Sequence, residues 1–296
     1  GFGFDATPDD VSRVFSRLTD IDAPLAVDTQ DPSLIRAALI RADIVLSLQE
    51  TNIPEVGKEV ARTGVAVVVV PGNSTLVKNI TLAKKAGIRC IIADPLLQPV
   101  GSGFTRSLDG FKKFSCPVFF GAGNVVELLD ADSIGANALL AGIAAEIGAS
   151  VIFTSEHSDK TKGSIREMRR ATEMMVLAGD RPYPKDLGID LLVLKEKRRR
   201  REPPLEYDTA QPARSMPDEI TYDPKGNFRI GIEGNQILAV IHGKAIKGVH
   251  WQDVLFTLLS QGDVSLPDHA GYLGRELYKA ELAIRYGRSF EQDGEF

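Results

Sequence analysis

Six short, unbroken apolar runs alternate with amphipathic segments between residues 25 and 156 of this 296-residue chain. Runs of this kind, apolar at consecutive positions, are typical of strands that are buried on both faces of a parallel sheet. The segments between them carry helix signals, such as Asp31 followed by Pro32 in the first turn. The runs are LAVDT (25–29), IVLSLQ (44–49), VAVVVV (65–70), CIIADPL (90–96), PVFFGAG (117–123) and SVIFTSE (150–156). The alternation predicts an α/β fold.

Polar residues at the strand ends distinguish between two architectures. An open doubly wound sheet gathers its polar groups at one switch point, whereas a barrel collects them from nearly every strand end. Nearly every run here ends with one, which predicts a (β/α)8 TIM barrel. Only six strands and an N-terminal stub are visible and the first methionine is Met168, so we expect the N-terminal strands to be missing or truncated. The strand-end residues are Asp28, Gln49, Asp94, Asn124 and Glu156.

The composition of the chain changes after about residue 200. We predict a barrel domain at 1–202, partial at its N-terminus, a proline-bearing linker at 203–219 and a small α+β domain at 220–296. The C-terminal domain is predicted from a meander pattern followed by two helical segments. The basic run KEKRRRR at 195–201 indicates a solvated helix end or linker.

Charge and cysteine content exclude several classes of protein. The net charge of −5 argues against nucleic acid as a partner, and no apolar run approaches the ~20 residues that cross a bilayer. The N-terminus lacks the basic start and apolar core of a signal peptide. Cys90 and Cys116 are predicted to be core residues in a reducing compartment. We therefore predict a cytoplasmic protein that binds neither nucleic acid nor membrane.

The stretch GAGN at 121–124 raises the alternative of a dinucleotide-binding loop. Gly121 and Gly123 fit its first two glycines, but Val126 stands where the third would be. Tight strand-to-helix turns require glycine at positive φ whatever they bind, so turn geometry is the favoured interpretation.

Three motifs occur in order at βα-unit spacing and resemble those of the pterin-binding barrel superfamily: AVDT, ADPLLQPVGSGF and GAGN. That superfamily includes the dihydropteroate synthases and the methyltetrahydrofolate:corrinoid methyltransferases. The longer motifs GAGNVVELLDADSIGANALLAGIA and FTSEHSDKTKGSIREM are similar to the dihydropteroate synthase-like proteins of tetrahydromethanopterin-making archaea and bacteria. The C-terminal DPKGNFRIGIEG resembles the small domain appended to those proteins.

This resemblance implies a pterin held by carboxylates and amides at the barrel mouth. Motif match gives Asp94 as the first candidate and Asp28 as the second, with Asn124 contacting the ring; a turn or helix cap is the alternative role for Asp94. Dihydropteroate synthases carry an Asn on the strand that matches IVLSLQ, where the polar choices of this chain are Ser47 and Gln49 and, further out, Asn52.

The loop after the sixth run is the predicted anion site. Two lysines precede a helix start, and Ser164 with Glu167 forms a capping-box pattern. Lys160 and Lys162 are assigned catalytic roles in stabilising a leaving group, the alternative being a solvated, capped helix start. The phosphate-binding residues are predicted to be Lys160, Thr161, Lys162, Gly163 and Ser164.

A metal is not required by any motif, although Mg²⁺ against a pyrophosphate is one option. Glu127 and Asp130 are weak candidates for holding it. The lone loop residue His157 is expected to be solvated.

Three functions follow from the resemblance. The first is a transferase that condenses a dihydropterin-methyl pyrophosphate with an arylamine in tetrahydromethanopterin or folate-type biosynthesis, with the pterin as substrate. The others are methyl transfer between a methylpterin and a corrinoid partner, and a non-catalytic pterin-binding subunit. The missing Ser-Arg-Lys and Arg-Val-His motifs of dihydropteroate synthases argue against the ordinary reaction. A homo-oligomer is expected, with the C-terminal domain as a docking surface for a protein partner.

Overall fold

A computed structural model describes residues 1–3, 5–111, 114–193, 203–215, 219 and 221–295. The chain divides into two compact units, residues 1–199 and 200–296. The basic run at 195–201 and part of the predicted linker lie outside the described residues.

The first unit alternates strands and helices as its apolar pattern predicts. Its strands are β1 (Ala26–Asp28), β2 (Ile44–Leu48), β3 (Ala66–Val69), β4 (Ile91–Ala93), β5 (Phe119–Gly121) and β6 (Val151–Phe153). Its helices are α1 (Pro8–Ser16), α2 (Pro32–Ala38), α3 (Ile53–Thr63), α4 (Leu76–Lys85), α5 (Phe104–Leu108), α6 (Gly123–Glu127), α7 (Ser133–Glu146) and α8 (Ser164–Ala178).

The strands follow one another in space in the order of the sequence. Strands β1 to β4 form one parallel sheet and β5 pairs in parallel with β6. A parallel bridge between Ala93 and Val118, with the Ala93 N–H donating to the Pro117 carbonyl at 2.8 Å, links β4 to β5. A doubly wound sheet would reverse its order at a switch point. The uninterrupted order is that of a barrel wall, so the predicted barrel class is confirmed over six parallel strands.

The two faces of this wall have different neighbours. One face packs on the helices, through residues such as Val45, Val67 and Ile91. The other face carries a separate buried cluster to which only strand residues contribute, and we call it the interior cluster. Burial on both faces explains why the strands are continuously apolar. The interior cluster consists of Leu46, Val68, Ile92 and Phe119.

Local signals fix several helix starts. The Asp31 side chain accepts the backbone N–H groups of Ser33 at 2.7 Å and Leu34 at 3.3 Å, which is the predicted cap of α2. The prediction that both cysteines belong to the core is wrong for Cys90, which is exposed. Cys90 contributes to the sheet through its backbone, because its carbonyl accepts the Val67 N–H at 2.9 Å.

The second unit is the predicted small α+β domain. An antiparallel meander of β7 (Arg229–Glu233), β8 (Gln236–Ile241) and β9 (Lys244–Gly248) packs against α9 (Trp251–Ser260) and α10 (Pro267–Tyr286). Within its described part, two carboxylates are buried. Asp223 ties the segment before the meander to the start of α10, and Glu276 binds Arg275 and Lys279 on α10.

Candidate functional site

The two predicted pterin carboxylates lie on the same face of the barrel wall. Asp28 pairs in register with Leu46, a member of the interior cluster, and Asp94 follows Ile92 by two positions. Because side chains alternate along a strand, both carboxylates lie on the interior face. Both also stand at the carboxyl ends of their strands, where barrels bind their ligands.

Asp94 is the buried member of this pair. It is only 7 % exposed, and its Oδ1 accepts the Leu96 N–H at 2.9 Å. Within the part of the chain that the structure describes, that is the one hydrogen bond its carboxylate receives. Burial raises the pKa of Asp94 from 3.8 to about 6. A carboxylate has about four acceptor positions, so Asp94 keeps the capacity to accept two N–H groups from a ligand.

Asp28 has a different setting, because it is exposed and accepts the Ser47 hydroxyl at 3.2 Å. Ser47 has φ of +66° where the β2–β3 register shifts. Gln49, directly after β2, donates through Nε2 to the Gln30 amide oxygen at 3.1 Å. These residues form a polar rim beside the interior cluster.

Asn52 is buried, and its side chain holds the backbone of this rim in place. Its Oδ1 accepts the Gln49 N–H at 2.9 Å, and its Nδ2 donates to the carbonyls of Gln30 at 3.2 Å and Ser47 at 3.4 Å. The proposed contact between Asn52 and a pterin is therefore corrected to a bracing role, since loop backbone occupies its amide.

The GAGN turn places Asn124 in the short helix α6, exposed and without a side-chain hydrogen bond to any described residue. Gly121 and Gly123 do not have positive φ, so the turn-geometry explanation is wrong. A Cβ on Gly123 would lie 3.0 Å from the Ser155 hydroxyl. Close packing of α6 on the end of β6 is the reason for glycine there.

Glu127 is the organising residue of the loop between β6 and α8, a role that no local pattern in the sequence indicates. Hydrogen bonding, led by the Ser158 hydroxyl, lowers the pKa of Glu127 to about 2 against the opposing effect of burial. Five hydrogen bonds between 2.6 and 3.2 Å reach its carboxylate, from the hydroxyls of Ser155, Ser158 and Thr161 and the N–H groups of His157 and Ser158.

The Mg²⁺ candidates do not fit a metal. The Glu127 oxygens are occupied by those five donors, and Asp130 is fully exposed with Lys160 at 3.7 Å. Over the described ranges, no three His, Cys, Asp or Glu side chains come close enough together to hold an ion.

The predicted anion site is occupied by the protein itself. Lys160 donates through Nζ to the carbonyls of Val126 and Leu129, and the buried Thr161 donates to Glu127. The Ile165 N–H in the first turn of α8 donates to the Glu156 carboxylate at 3.0 Å. Lys162 is the exception, since it is exposed and its amine has no partner among the described residues.

The start of α8 also corrects the capping-box prediction. Gly163, with φ of +89°, is the N-cap and Ser164 is the first helical residue. Ser164 is buried and accepts the Asn137 amide at 2.8 Å, while Glu167 accepts the Ser133 hydroxyl at 2.6 Å. The polar pattern S-x-x-E thus joins α8 to α7.

Glu50 holds a second loop in place, a role that the sequence does not predict. Glu50, two residues after β2, accepts the Asn79 amide at 2.7 Å and the Asn73 N–H at 2.6 Å. The Asn79 hydrogen bond is the main cause of a lowered pKa for Glu50. Gly72 approaches Gln49 and Glu50 so closely that a Cβ would overlap both side chains. The loop after β3 is therefore fixed to the rim.

None of the helices in the described residues is long and apolar enough to span a bilayer.

Comparison with known proteins gives one long sequence match. An uncharacterised protein of Methanocaldococcus jannaschii is 37% identical over 315 residues, which cover 96% of this chain and 60% of that protein. The chain thus spans about three fifths of the length of this relative.

Solved structures give partial likenesses. A dihydropteroate synthase of Xanthomonas albilineans, in complex with indole-2-carboxylic acid and 6-chloroguanine, has a TM-score of 0.46 and 22% identity over 59% of this chain and 77% of that one. For the Yersinia pestis dihydropteroate synthase the TM-score is 0.44 and the identity 20%, over 60% of this chain and 81% of that one.

The profile of the family described as PterinBD-DUF4346 matches residues 222–293, which span the antiparallel meander and both helices of the second unit. The predicted resemblance to a dihydropteroate synthase-like protein with an appended small domain is thereby confirmed for the second unit, which is similar to the PterinBD-DUF4346 family over residues 222–293.

Proposed function

We propose that the barrel unit binds a pterin at the carboxyl ends of its strands, with Asp94 as the anchor. The aminopyrimidinone edge of a pterin presents two adjacent N–H donors, which match the two oxygens of one carboxylate. The observation that carries the proposal is that Asp94 is buried on the interior face, yet its carboxylate accepts a single hydrogen bond from the described residues. Asp28 and Gln49 of the polar rim, together with Asn124 on α6, complete the proposed site.

Pterin fluorescence provides the test. We expect saturable quenching of 6-hydroxymethylpterin by the wild-type chain and a dissociation constant about 100-fold higher for Asp94→Asn, because the amide offers one acceptor where the ligand needs two. Asp20→Asn is the control, since Asp20 is exposed and away from the strand ends. Equal binding by Asp94→Asn and the wild type would refute the assignment.

The binding should also depend on pH in a defined direction. The pKa of Asp94 is about 6, and the ionised carboxylate is the form that accepts both N–H groups. We expect the affinity to fall by up to about tenfold per pH unit below 6 and to level off above it. The same titration of Asp94→Asn should lose this dependence.

For the reaction, we propose condensation of a dihydropterin-methyl pyrophosphate with an arylamine in tetrahydromethanopterin or folate-type biosynthesis. The amine nitrogen attacks the exocyclic methylene, the methylene C–O bond breaks, pyrophosphate leaves with the electron pair, and the amine proton passes to solvent. Lys162 is the cation of the β6–α8 loop that remains available to the departing pyrophosphate, since Lys160 is bound to carbonyls.

Release of pyrophosphate measures this reaction. With the dihydropterin pyrophosphate and a panel of arylamines, Lys162→Ala is expected to release pyrophosphate about tenfold more slowly than the wild type, as expected for loss of one charge contact. Lys58→Ala, on the exposed side of α3, is the matched control.

A non-catalytic pterin-binding subunit is the second candidate. Two carboxylates, those of Glu156 and Glu167, lie at the start of α8. The Glu156 carboxylate accepts the Ile165 N–H in the first turn of this helix. That arrangement opposes a pyrophosphate there. Tight pterin binding with no pyrophosphate release for any amine would establish this candidate and refute the condensation.

A further inference from the structure

Three properties of Leu96 distinguish it from the neighbouring residues of its loop. Its φ is +65°, in the left-handed region that branched L residues seldom adopt. Its side chain is apolar and yet 38 % exposed. Its backbone N–H donates to Asp94 Oδ1 at 2.9 Å. The residue therefore stands directly beside the anchor of the proposed site.

Neither of the ordinary reasons for a leucine applies at this position. The conformation favours glycine, and the same loop uses Gly101 and Gly103 at positive φ. Burial does not explain the side chain either, because it is the next residue, Leu97, that enters the core at 4 % exposure. The leucine thus costs conformational strain while it stays 38 % exposed.

A second residue of the same unit has the same relation to the other carboxylate. Ser47 has φ of +66° and donates its hydroxyl to Asp28. Among the described residues of the barrel unit, three non-glycine residues have positive φ, and two of them are these partners of strand-end carboxylates; the third is Asp186. Strained backbone of this kind concentrates at ligand sites.

We infer that Leu96 is a specificity-determining residue whose side chain packs against the second ring of the bound pterin. This inference rests on the proposed function. Asp94 lies deep at the strand end and holds the pyrimidinone edge, whereas Leu96 follows it outward along the chain and is more exposed. A bicyclic ligand anchored on Asp94 extends towards the level of Leu96. Contact with the aliphatic side chain removes apolar surface of both partners from water.

The test compares two ligands that share one hydrogen-bonding edge. Pterin has both rings, and 2-amino-4-hydroxypyrimidine has only the ring that Asp94 would hold. Leu96→Ala keeps the Cβ and the backbone conformation but removes the apolar contact. We expect its dissociation constant for pterin to rise about tenfold and that for the pyrimidine to stay within about twofold. Val77→Ala, which removes an exposed aliphatic side chain from α4, is the control.

Leu96→Gly adds a readout that a structural role would not produce. Glycine relieves the strain, so we expect a melting temperature a few degrees higher together with the same loss of pterin selectivity. Equal losses for both ligands in Leu96→Ala, or unchanged affinity for pterin, would overturn the inference. If the wild type binds pterin, Asp94→Asn weakens that binding and neither Leu96 variant does, only this inference fails. Absence of pterin binding by the wild type overturns the proposed function as well.

Discussion

Among the described residues, each unit buries one aspartate, and the pKa values of the two are shifted in opposite directions. Asp94 is 7 % exposed and receives one hydrogen bond among the described residues, and burial raises its pKa to about 6. Asp223 is 5 % exposed, and although burial alone would raise its pKa, the donors around it, led by the Ser265 hydroxyl, lower the pKa well below the usual range. Its donors are the N–H groups of Lys225, Ser265 and Leu266, the Ser265 hydroxyl and His269 Nδ1.

The difference separates a structural carboxylate from a candidate ligand site. Burial is nearly the same, so it does not identify function. The number of donors does, because a carboxylate with a full set of partners has no capacity left for a ligand. By this criterion Glu127, with five donors, also belongs to the structural class despite its place near the barrel mouth.

The largest expected effect is at Asp223. Asp223→Ala leaves a group of donors at the start of α10 without an acceptor, so we expect the melting temperature of the second unit to fall by about 10 °C. Trp251 is the one tryptophan of the chain and lies in α9, so its fluorescence reports this unit. Pterin affinity should not change. The exposed Asp268→Ala is the control, and a shift no larger than in that control would contradict the structural role.

Asp94→Asn, unlike Asp223→Ala, should stabilise the protein at neutral pH. The folded pKa is raised, so the stability linked to Asp94 is fully present below about pH 4 and is lost as the pH rises through 6. Asparagine avoids burying the charge, and we expect the free energy of unfolding to increase by about 2 kcal/mol at pH 7 and to equal that of the wild type at pH 4. Circular dichroism melts across this range measure it. If Asp94→Asn were less stable than the wild type at pH 7, Asp94 would be a structural carboxylate like Asp223.

Glu127→Gln should give the smallest effect of the three. The amide keeps one acceptor oxygen, so we expect the melting temperature to fall by about 3 °C and hydrogen exchange at the N–H groups of His157 and Ser158 to accelerate about tenfold. The low pKa of Glu127 means that its contribution is present above about pH 4.5 and is lost only as the pH falls through about 2. Glu146→Gln, at the exposed end of α7, is the control. Unchanged exchange would show that Glu127 does not hold the loop.

Much of the fold followed from patterns that are local in the sequence. Continuous apolar runs and the Asp31-Pro32 cap predicted strands and a helix start where the structure has them, because both depend on residues a few positions apart. The carboxylates Asp28 and Asp94 were also found this way, since the end of a buried strand fixes where its next polar residue lies.

The parts that failed depend on contacts between distant segments. Glu127 receives its donors from about 30 residues further along the chain, and Glu167 turned to Ser133 on α7 instead of capping its own helix. Asn52 looked like a ligand because its amide is polar and near a strand end, but loop carbonyls already occupy it. No spacing rule within one segment predicts such pairings. They have to be seen in three dimensions.

The sequential strand order has a consequence for how the first unit folds. Every strand pairs with the strands nearest to it in the chain, so the wall can be assembled one βα unit at a time, without waiting for distant segments to meet. Closing such short loops costs less chain entropy than pairing remote strands. During synthesis, Asp28 and its neighbours on β2 and β3 would be in place before the segment that carries Asp94 has emerged. The polar rim would form first, and the buried anchor would be added to it.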